Sequence, residues 1–330
     1  MTYKYNNVYV KDGYTIAGIY ESEGPLRKYF DKKYDDDLYY GEKTFEKAES
    51  KLLEDNITNI LRKNKIKEED IDLIVSGDLQ NQISATNYAV RNFNIPFLGV
   101  FNACATSSES IIIASTFIES KKIKNAIVAT VSHNTSAEKQ FRNPVEYGAP
   151  KHKTATFTAT GSASLLLTNE KTDIRIESST IGKAIDLGQS DVNHMGAVMA
   201  PAAADTIYRH LKDLKRDPDY YDLILTGDLG VYGKSILTKY LDKKYKIKLG
   251  KNYNDCGVML YNLDEQPVFA GGSGPVCSAL VNFGYILKQM KSGKLKRVLI
   301  VPTGAIFSPT RVFQKETIPA IAHAVSLEVI

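Results

Sequence analysis

The chain has 330 residues, 43% hydrophobic and 24% charged, and its 42 Lys and Arg against 38 Asp and Glu leave a net charge of +4. That is globular composition, which excludes disordered and low-complexity classes. At roughly 150 residues per domain it fits two domains or one large α/β unit. The charge is too mild and too evenly spread to point to nucleic acid, and three cysteines with no C-x-x-C spacing argue against a disulfide framework or a zinc site and for a reducing compartment.

The first ten residues, MTYKYNNVYV, lack the cationic-then-apolar order of a signal peptide. No apolar run reaches the ~18 residues that a membrane span needs, so any membrane association is expected to be peripheral or through partners. The Tyr-, Lys- and Asp-rich stretch 28–47 reads as a surface excursion. An amphipathic helix follows, with Leu52, Leu53, Ile57, Ile60 and Leu61 on its apolar face, and leads into a buried strand, IDLIVSGDLQ (71–80). A second apolar strand, Phe97 to Phe101, runs into a tight turn and a helix through FNACATSSESIIIASTFIES (101–120). That helix is apolar on most sides, through Ile111, Ile112, Ile113, Phe117 and Ile118, and is expected to be central. KIKNAIVATVSH (122–133) is a helix end running into a Val/Ile-rich strand, and SASLLLTNE (162–170) closes the first half.

The pattern then starts again. A strand, IRIESSTIG (174–182), and an amphipathic helix with Ile207, Leu211 and Leu214 precede YDLILTGDLG (221–230), which matches 71–80 in register. KLKRVLIVPTGA (294–305) matches 122–133, in the same order. Two halves, 1–170 and 171–330, each strand–helix–strand–helix–strand, therefore predict a pseudo-twofold α/β fold. Apolar runs bounded by glycine imply strands covered on both faces. No Pro/Gly/Ser-rich linker separates the halves, so they are expected to share a core.

In such folds ligands sit beyond the carboxyl ends of the strands. That collects Gly77-Asp78, Asn102 to Ser108, Ser132 to Arg142, Thr226 to Gly230, Gly271 to Gly274 and Thr303 to Ser308 as candidate site segments. Cys104 opens the central helix, where the positive helix end favours a thiolate; small cysteines also simply pack well there. A reactive cysteine needs a base. Of the five histidines, His133 and His194 have the better claim. His210 reads as a surface residue, His152 as loop, and His323 as a core residue with a satisfied hydrogen bond.

A doubled α/β chain with a cysteine opening the first central helix resembles the thiolase superfamily and, within it, the ketoacyl synthases of type III. Over nearly its whole length the chain is more similar to one non-classical branch, the stage V sporulation protein AD family. The segments that carry this are NACATSSE (102–109), SHNTSAEKQFRNPVEYG (132–148), MGAVMAPAAADTI (195–207), YDLILTGDLG (221–230), AGGSGPVCSA (270–279) and SPTRVFQKETIPAIAHAVSLE (308–328). The resemblance implies a thiolase-like fold in which two pseudo-symmetric halves share a layered α-β-α-β-α core.

The resemblance also speaks to chemistry. Where the type III synthases carry a catalytic histidine, this chain has Thr226-Gly227-Asp228-Leu229; where they carry a catalytic asparagine, it has Gly271-Gly272-Ser273-Gly274. The nucleophile position is kept and both partners are absent, and such losses cost orders of magnitude in rate. The expectation is a protein that is not an enzyme and has no cofactor. The family implies a role in taking dipicolinic acid (pyridine-2,6-dicarboxylic acid), often with calcium, into the forming spore and releasing it at germination. It implies other stage V sporulation A-operon proteins as membrane-channel partners, a peripheral place at the spore inner membrane, and a possible homodimer. A flat aromatic dianion wants backbone N–H groups, hydroxyls and some positive charge. The expected ligand-binding set is Cys104, Ser132, His133, Asn134, Lys139, His194, Asp228 and Ser273, with no metal site of its own. Lys139 and Arg142 read more readily as a solvated loop than as ligand contacts, and Asp228 either holds calcium or repels the bare dianion. Two rivals stand: an acyltransferase or ketoacyl-synthase-like enzyme using Cys104, and a scaffold that binds no small molecule.

Overall fold

The computed structural model describes residues 1–141 and 151–330. The first half comprises β1 (Tyr9–Ala17), α1 (Phe45–Asn64), β2 (Leu73–Gly77), α2 (Ser84–Val90), β3 (Phe97–Gly99), α3 (Thr106–Glu119), β4 (Asn125–Ser132), α4 (Asn134–Phe141) and β5 (Gly161–Thr168). The second comprises β6 (Ile174–Thr180), α5 (Met195–Leu214), β7 (Leu223–Thr226), α6 (Gly230–Tyr240), β8 (Tyr253–Asp255), α7, β9 (Arg297–Val301) and β10 (Ala324–Val329). Helix α7 starts at Pro275–Ala279 and continues through a π-wound turn, Leu280–Ile286, to Leu287–Lys291.

Within the first half the strands lie in the order β1-β5-β4-β2-β3, and within the second β6-β10-β9-β7-β8. Adding five to each label of the first set gives the second, so the duplication read from the sequence is a duplication of topology. In both, the inner three strands by sequence are parallel to one another (β3, β2, β4; β8, β7, β9) and the outer two are antiparallel. The two sheets join edge to edge along β6, which pairs antiparallel with the N-terminal residues Thr2–Lys4 and with Tyr9 of β1.

Successive residues of a strand point to opposite faces, and here they enter different cores. Leu73 and Val75 of β2, Ala126 and Val128 of β4, Leu225 of β7, and Val298 and Ile300 of β9 all pack into one central core with α3 and α7. Their neighbours Ile74, Ile127 and Ala129 pack into an outer core with α1 and α2. Ile224, Leu299 and Val301 pack into another with α5 and α6. The result is five layers: outer helices, sheet, central helices, sheet, outer helices. Strands with an apolar core on each side read as unbroken apolar runs, which is why the sequence shows no alternation.

Two expectations need correcting. The excursion 28–47 is only partly surface: Tyr40 is 6% exposed in the outer core of the first half, although Leu38 and Tyr39 are exposed. His210 is fully buried, not on the surface. Its Nδ1 pairs with Thr180 Oγ1 at 2.8 Å and its Nε2 with Tyr221 Oη at 2.7 Å, and burial pushes its pKa down to about 3. His210 lies on the side of α5 that packs against β6, where an imidazole with both nitrogens satisfied is tolerated. His323 is a core residue as expected, hydrogen-bonded through Nδ1 to the Gly182 N–H at 3.0 Å and through Nε2 to the Asn102 amide at 2.9 Å.

Gly77 ends β2 under the backbone of the next strand's exit. A Cβ there would lie 1.9 Å from the Val100 carbonyl oxygen, a rigid neighbour. Gly77→Ala is expected to destabilise the fold by about 1–3 kcal/mol or more, read as a drop in the urea midpoint. An unchanged midpoint would show that the β2–β3 junction can shift.

Candidate functional site

The site is built where the parallel strands of both halves end. After β3 the chain reverses through Ala103, a residue in the left-handed region at φ 49°, and a 3₁₀ turn, Ala103–Ala105, before α3. The reversal is pinned at several points. Thr106 Oγ1 donates to the Ala103 carbonyl at 2.7 Å and accepts from the Asn102 N–H, and Ala105 N–H donates to the Asn102 carbonyl. Gly304 allows the close approach beneath it, since a Cβ there would sit 2.3 Å from the Asn102 carbonyl oxygen. A strained elbow of this kind fixes the direction of the side chain that follows, and Cys104 is set at the wall of a cavity of 430 Å³.

From the second half, Asp228 follows β7 and reaches the same cavity. It is fully buried, and its Oδ1 accepts a 2.6 Å hydrogen bond from Thr303 Oγ1. Burial pushes its pKa up to about 7, against the pull of the Cys104 thiol, the Thr303 hydroxyl and the Gly274 N–H, and nearby Asp255 adds to the rise. Asp255 has a different task. It accepts from Thr226 Oγ1 at 2.7 Å and from the N–H groups of Leu229 and Gly230 at 3.0 Å, holding the start of α6. Ser273 and Gly274 complete the floor. The pair Gly272–Ser273 lies alongside Phe157–Thr158 of the first half as a two-stranded ladder, and Gly274 turns at φ 93° into α7.

The cavity thus brings together Cys104, Lys139, Asp228 and Ser273 of the expected residues, and Ser132, His133, Asn134 and His194 are not among those that line it. Ser132 Oγ donates to the Ala159 carbonyl at 2.7 Å. His133 accepts from the Thr135 N–H at Nδ1 and hydrogen-bonds the Leu38 carbonyl through Nε2, packs against Phe45, and has its pKa lowered by burial. Asn134 donates from Nδ2 to the Thr158 carbonyl. His194 is the N-cap of α5, its Nδ1 accepting from the Ala197 N–H at 3.4 Å. The two histidines accept N–H groups at helix starts, which need acceptors, and Ser132 and Asn134 tie the start of α4 to the carbonyls of residues 158–159. Lys139 lines the cavity from α4 with its Nζ 2.6 Å from Glu46 Oε1. Arg142 lies outside the described residues.

Residues that the sequence reading missed form the walls. Phe101, Phe141, Phe307 and Phe313 stand around the mouth, with Phe141 and Phe307 in ring contact at 5.6 Å, and Met195 and Met199 line the side. Thr156 and Thr158 add hydroxyls to the floor. The available signal was the i, i+4 pair of methionines at the start of α5 and a phenylalanine within the 303–308 segment. The site therefore has a polar floor with apolar, largely aromatic walls. Among the described residues no histidine lines it, and no cluster of three or more His, Cys, Asp or Glu could hold a metal ion.

The raised Asp228 pKa carries a sign. A carboxyl whose folded pKa lies above its unfolded value of 3.8 stabilises the fold through its proton at low pH, and that contribution is lost as pH rises through about 7. Asp228→Asn keeps the acceptor for Thr303 and removes the titration. The variant is expected to gain stability relative to the parent between pH 5 and pH 8, measured as urea midpoints. Parallel pH profiles would show that Asp228 does not titrate in this window.

Comparison with known proteins places this geometry. A curated relative, stage V sporulation protein AD from Bacillus subtilis (strain 168), is 49% identical over 321 residues, covering 97% of this chain and 94% of that protein. Among solved structures, cerulenin-bound OleA from Xanthomonas campestris superposes with a TM-score of 0.61 at 14% identity, over 98% of this chain and all of that one. A variant of the same OleA gives 0.63 at 13% identity, over 98% and 97%. At that identity OleA speaks for the thiolase-like fold alone. The profile described as Stage V sporulation protein AD (SpoVAD) matches residues 2–328, and the chain belongs to that family.

Proposed function

We propose that the chain is a non-enzymatic sporulation protein whose cavity binds dipicolinic acid, alone or as its calcium chelate. In this reading it supports movement of that acid into the forming spore and out again at germination. It sits peripherally at the inner spore membrane, with channel proteins of the same operon crossing the bilayer. The observation that carries the reading is the pairing of Cys104 with a buried carboxyl, Asp228, in a cavity with aromatic walls. A thiolate needs a base and an oxyanion stabiliser to act as a nucleophile, and a neighbouring carboxylate disfavours the thiolate. Flat walls and a floor of hydroxyls suit a planar aromatic acid, and Lys139, ion-paired with Glu46, lines the same cavity and would have to exchange that partner to reach a bound carboxylate. Family membership supports the sporulation role, and no helix among the described residues is long and apolar enough to cross a membrane.

One observation favours the rival enzyme reading: Cys104 stands on a strained elbow at the wall of a cavity, as a nucleophile would. Mass spectrometry after incubation with acyl-CoA thioesters separates the two. A stable acyl adduct on Cys104 supports the enzyme.

Calorimetric titration with dipicolinate, with and without calcium, tests the binding reading, and no heat in either would leave only a scaffold. Cys104→Ser, which keeps volume and a polar atom, is expected to bind within several-fold of the parent. Cys104→Trp fills the cavity and is expected to weaken binding at least ~10-fold, roughly 1.4 kcal/mol. A folded Cys104→Trp with full affinity would place the ligand elsewhere.

The pH dependence follows from Asp228. A bound dianion beside Asp228 draws a proton onto it, so affinity is expected to fall as pH rises through about 7, by at most ~10-fold per pH unit for one linked proton. In Asp228→Asn the slope should vanish. A slope that persists in that variant would assign the proton to another group.

A further inference from the structure

The second half carries a surface with no counterpart in the first. Between α6 and β8 the chain passes through a π-wound turn, Leu241–Tyr245, bends at Lys246 in the left-handed region (φ 59°), and continues without regular structure to a turn before Tyr253. Along it exposed and half-buried residues alternate. Lys244, Lys246 and Lys248 face solvent, and Tyr245, Ile247 and Leu249 turn inward against the outer core of the second half. The three apolar side chains anchor the segment on the core and hold the lysines between them in a row rather than on a loose loop. Lys239, Lys243 and Lys251 flank the row and are also exposed.

Residues 239–251 hold six lysines and one acid, Asp242, a charge of 6 − 1 = +5. The whole chain carries +4, so everything outside these thirteen residues is close to neutral, and the charge is not evenly spread along the chain, contrary to the expectation from its overall composition. Among the described residues none of the six is ion-paired to a carboxylate. The matching connection of the first half, 91–96, has Arg91 as its one cation. Helix α6 leaves the cavity end of the sheet at Gly230, and β8 returns toward it at Asp255. The lysine row therefore lies at the end of the sheet opposite the cavity.

The chemistry selects among partners. A protein interface is anchored by aromatic or arginine side chains, yet no large hydrophobic residue is exposed between positions 233 and 268 and that stretch has no arginine. Nucleic acid is read by arginine forks and stacked rings; the stretch has no arginine, and the two tyrosines of the row, Tyr240 and Tyr245, are half-buried, with Tyr245 already stacked on Tyr208 at 4.2 Å. Ammonium groups on flexible stems match a diffuse, laterally mobile field of phosphates, and each such group near an anionic bilayer strengthens binding several-fold. We propose that the lysine row 239–251 docks the protein on an anionic phospholipid bilayer, with the cavity mouth turned away from the lipid. This rests on the membrane-peripheral part of the function proposed above and not on what fills the cavity.

The test is co-sedimentation of the full chain with vesicles of phosphatidylcholine alone or containing one part in three of phosphatidylglycerol. The anionic vesicles are expected to bind at least ~10-fold more tightly at about 0.1 M salt, and the preference should disappear at about 0.5 M, where the screening length falls to a few ångströms. The triple variant Lys243→Glu, Lys246→Glu, Lys248→Glu should lose the preference. Lys4→Glu, Lys33→Glu, Lys171→Glu makes the same charge change at exposed sites elsewhere and should keep it. Thermal melting confirms that both variants fold; if the first does not, Lys243→Gln with Lys248→Gln reads the same preference. The proposal is overturned if the parent shows no preference for anionic vesicles, or if both triple variants lose it equally. It is also overturned if a short DNA duplex displaces the protein from the vesicles. Recruitment only to vesicles that contain the channel proteins would overturn the lipid row and leave the membrane-peripheral reading standing. Dipicolinate titration is unaffected by any of these results, so the two readings fail separately.

Discussion

Burial of the parallel strands on both faces is the constraint from which the rest of the structure follows. A strand such as β2 sends Val75 into the central core and Ile74 into the outer one, so neither half can complete itself alone. In the first half α3 covers β2 and β4 on the inner face of the sheet, and β1 and β5 stay uncovered there until α7 of the second half lies beside α3. Ser107 and Ser278, one on each helix, are 3.3 Å apart between their hydroxyls. The shared central layer also brings the starts of α3 and α7 together, and with them Cys104 and Ser273. The cavity is a consequence of how the core closes.

Much of this was legible because duplication leaves letters in register. The Gly-Asp-Leu pairs at 77–79 and 227–229 announced the two halves, and unbroken apolar runs announced strands covered on both sides. The rule that ligands lie beyond strand ends found the region of the cavity. What the letters concealed was the direction of side chains at the turns. Asp78 and Asp228 occupy matching positions and do different work. Asp78 accepts the N–H groups of Gln80 and Thr86 at 2.7 Å and stabilises the turn into α2, whereas Asp228 faces Cys104. In the second half the turn is held by Asp255, from a strand 29 residues away from Thr226. A carboxylate released from capping is what the cavity acquired.

His133 and His194 show the same limit. Each stands where a strand or loop gives way to a helix, and from the sequence a histidine there reads as a base for Cys104. The first turn of a helix presents N–H groups that need acceptors, and both imidazoles accept from one. Local demand of this kind leaves no trace in composition or spacing. The aromatic walls were missed for a related reason: Phe101, Phe141, Phe307 and Phe313 come from four separate segments that only the closed core assembles.

The closing of the central layer has a consequence for synthesis. Ile111, Ile112 and Ile118 of α3 belong to a core whose other side is supplied by residues 275–291. At about 5–20 residues per second, a ribosome takes roughly 10–30 s to make the intervening chain. Through that interval the nascent first half exposes an apolar helix face it has no means of covering. Contacts of such long sequence separation also make folding slow. The protein is thus a demanding client for chaperones that shield nascent chains, and truncation anywhere before α7 should yield a product that aggregates rather than a folded first domain.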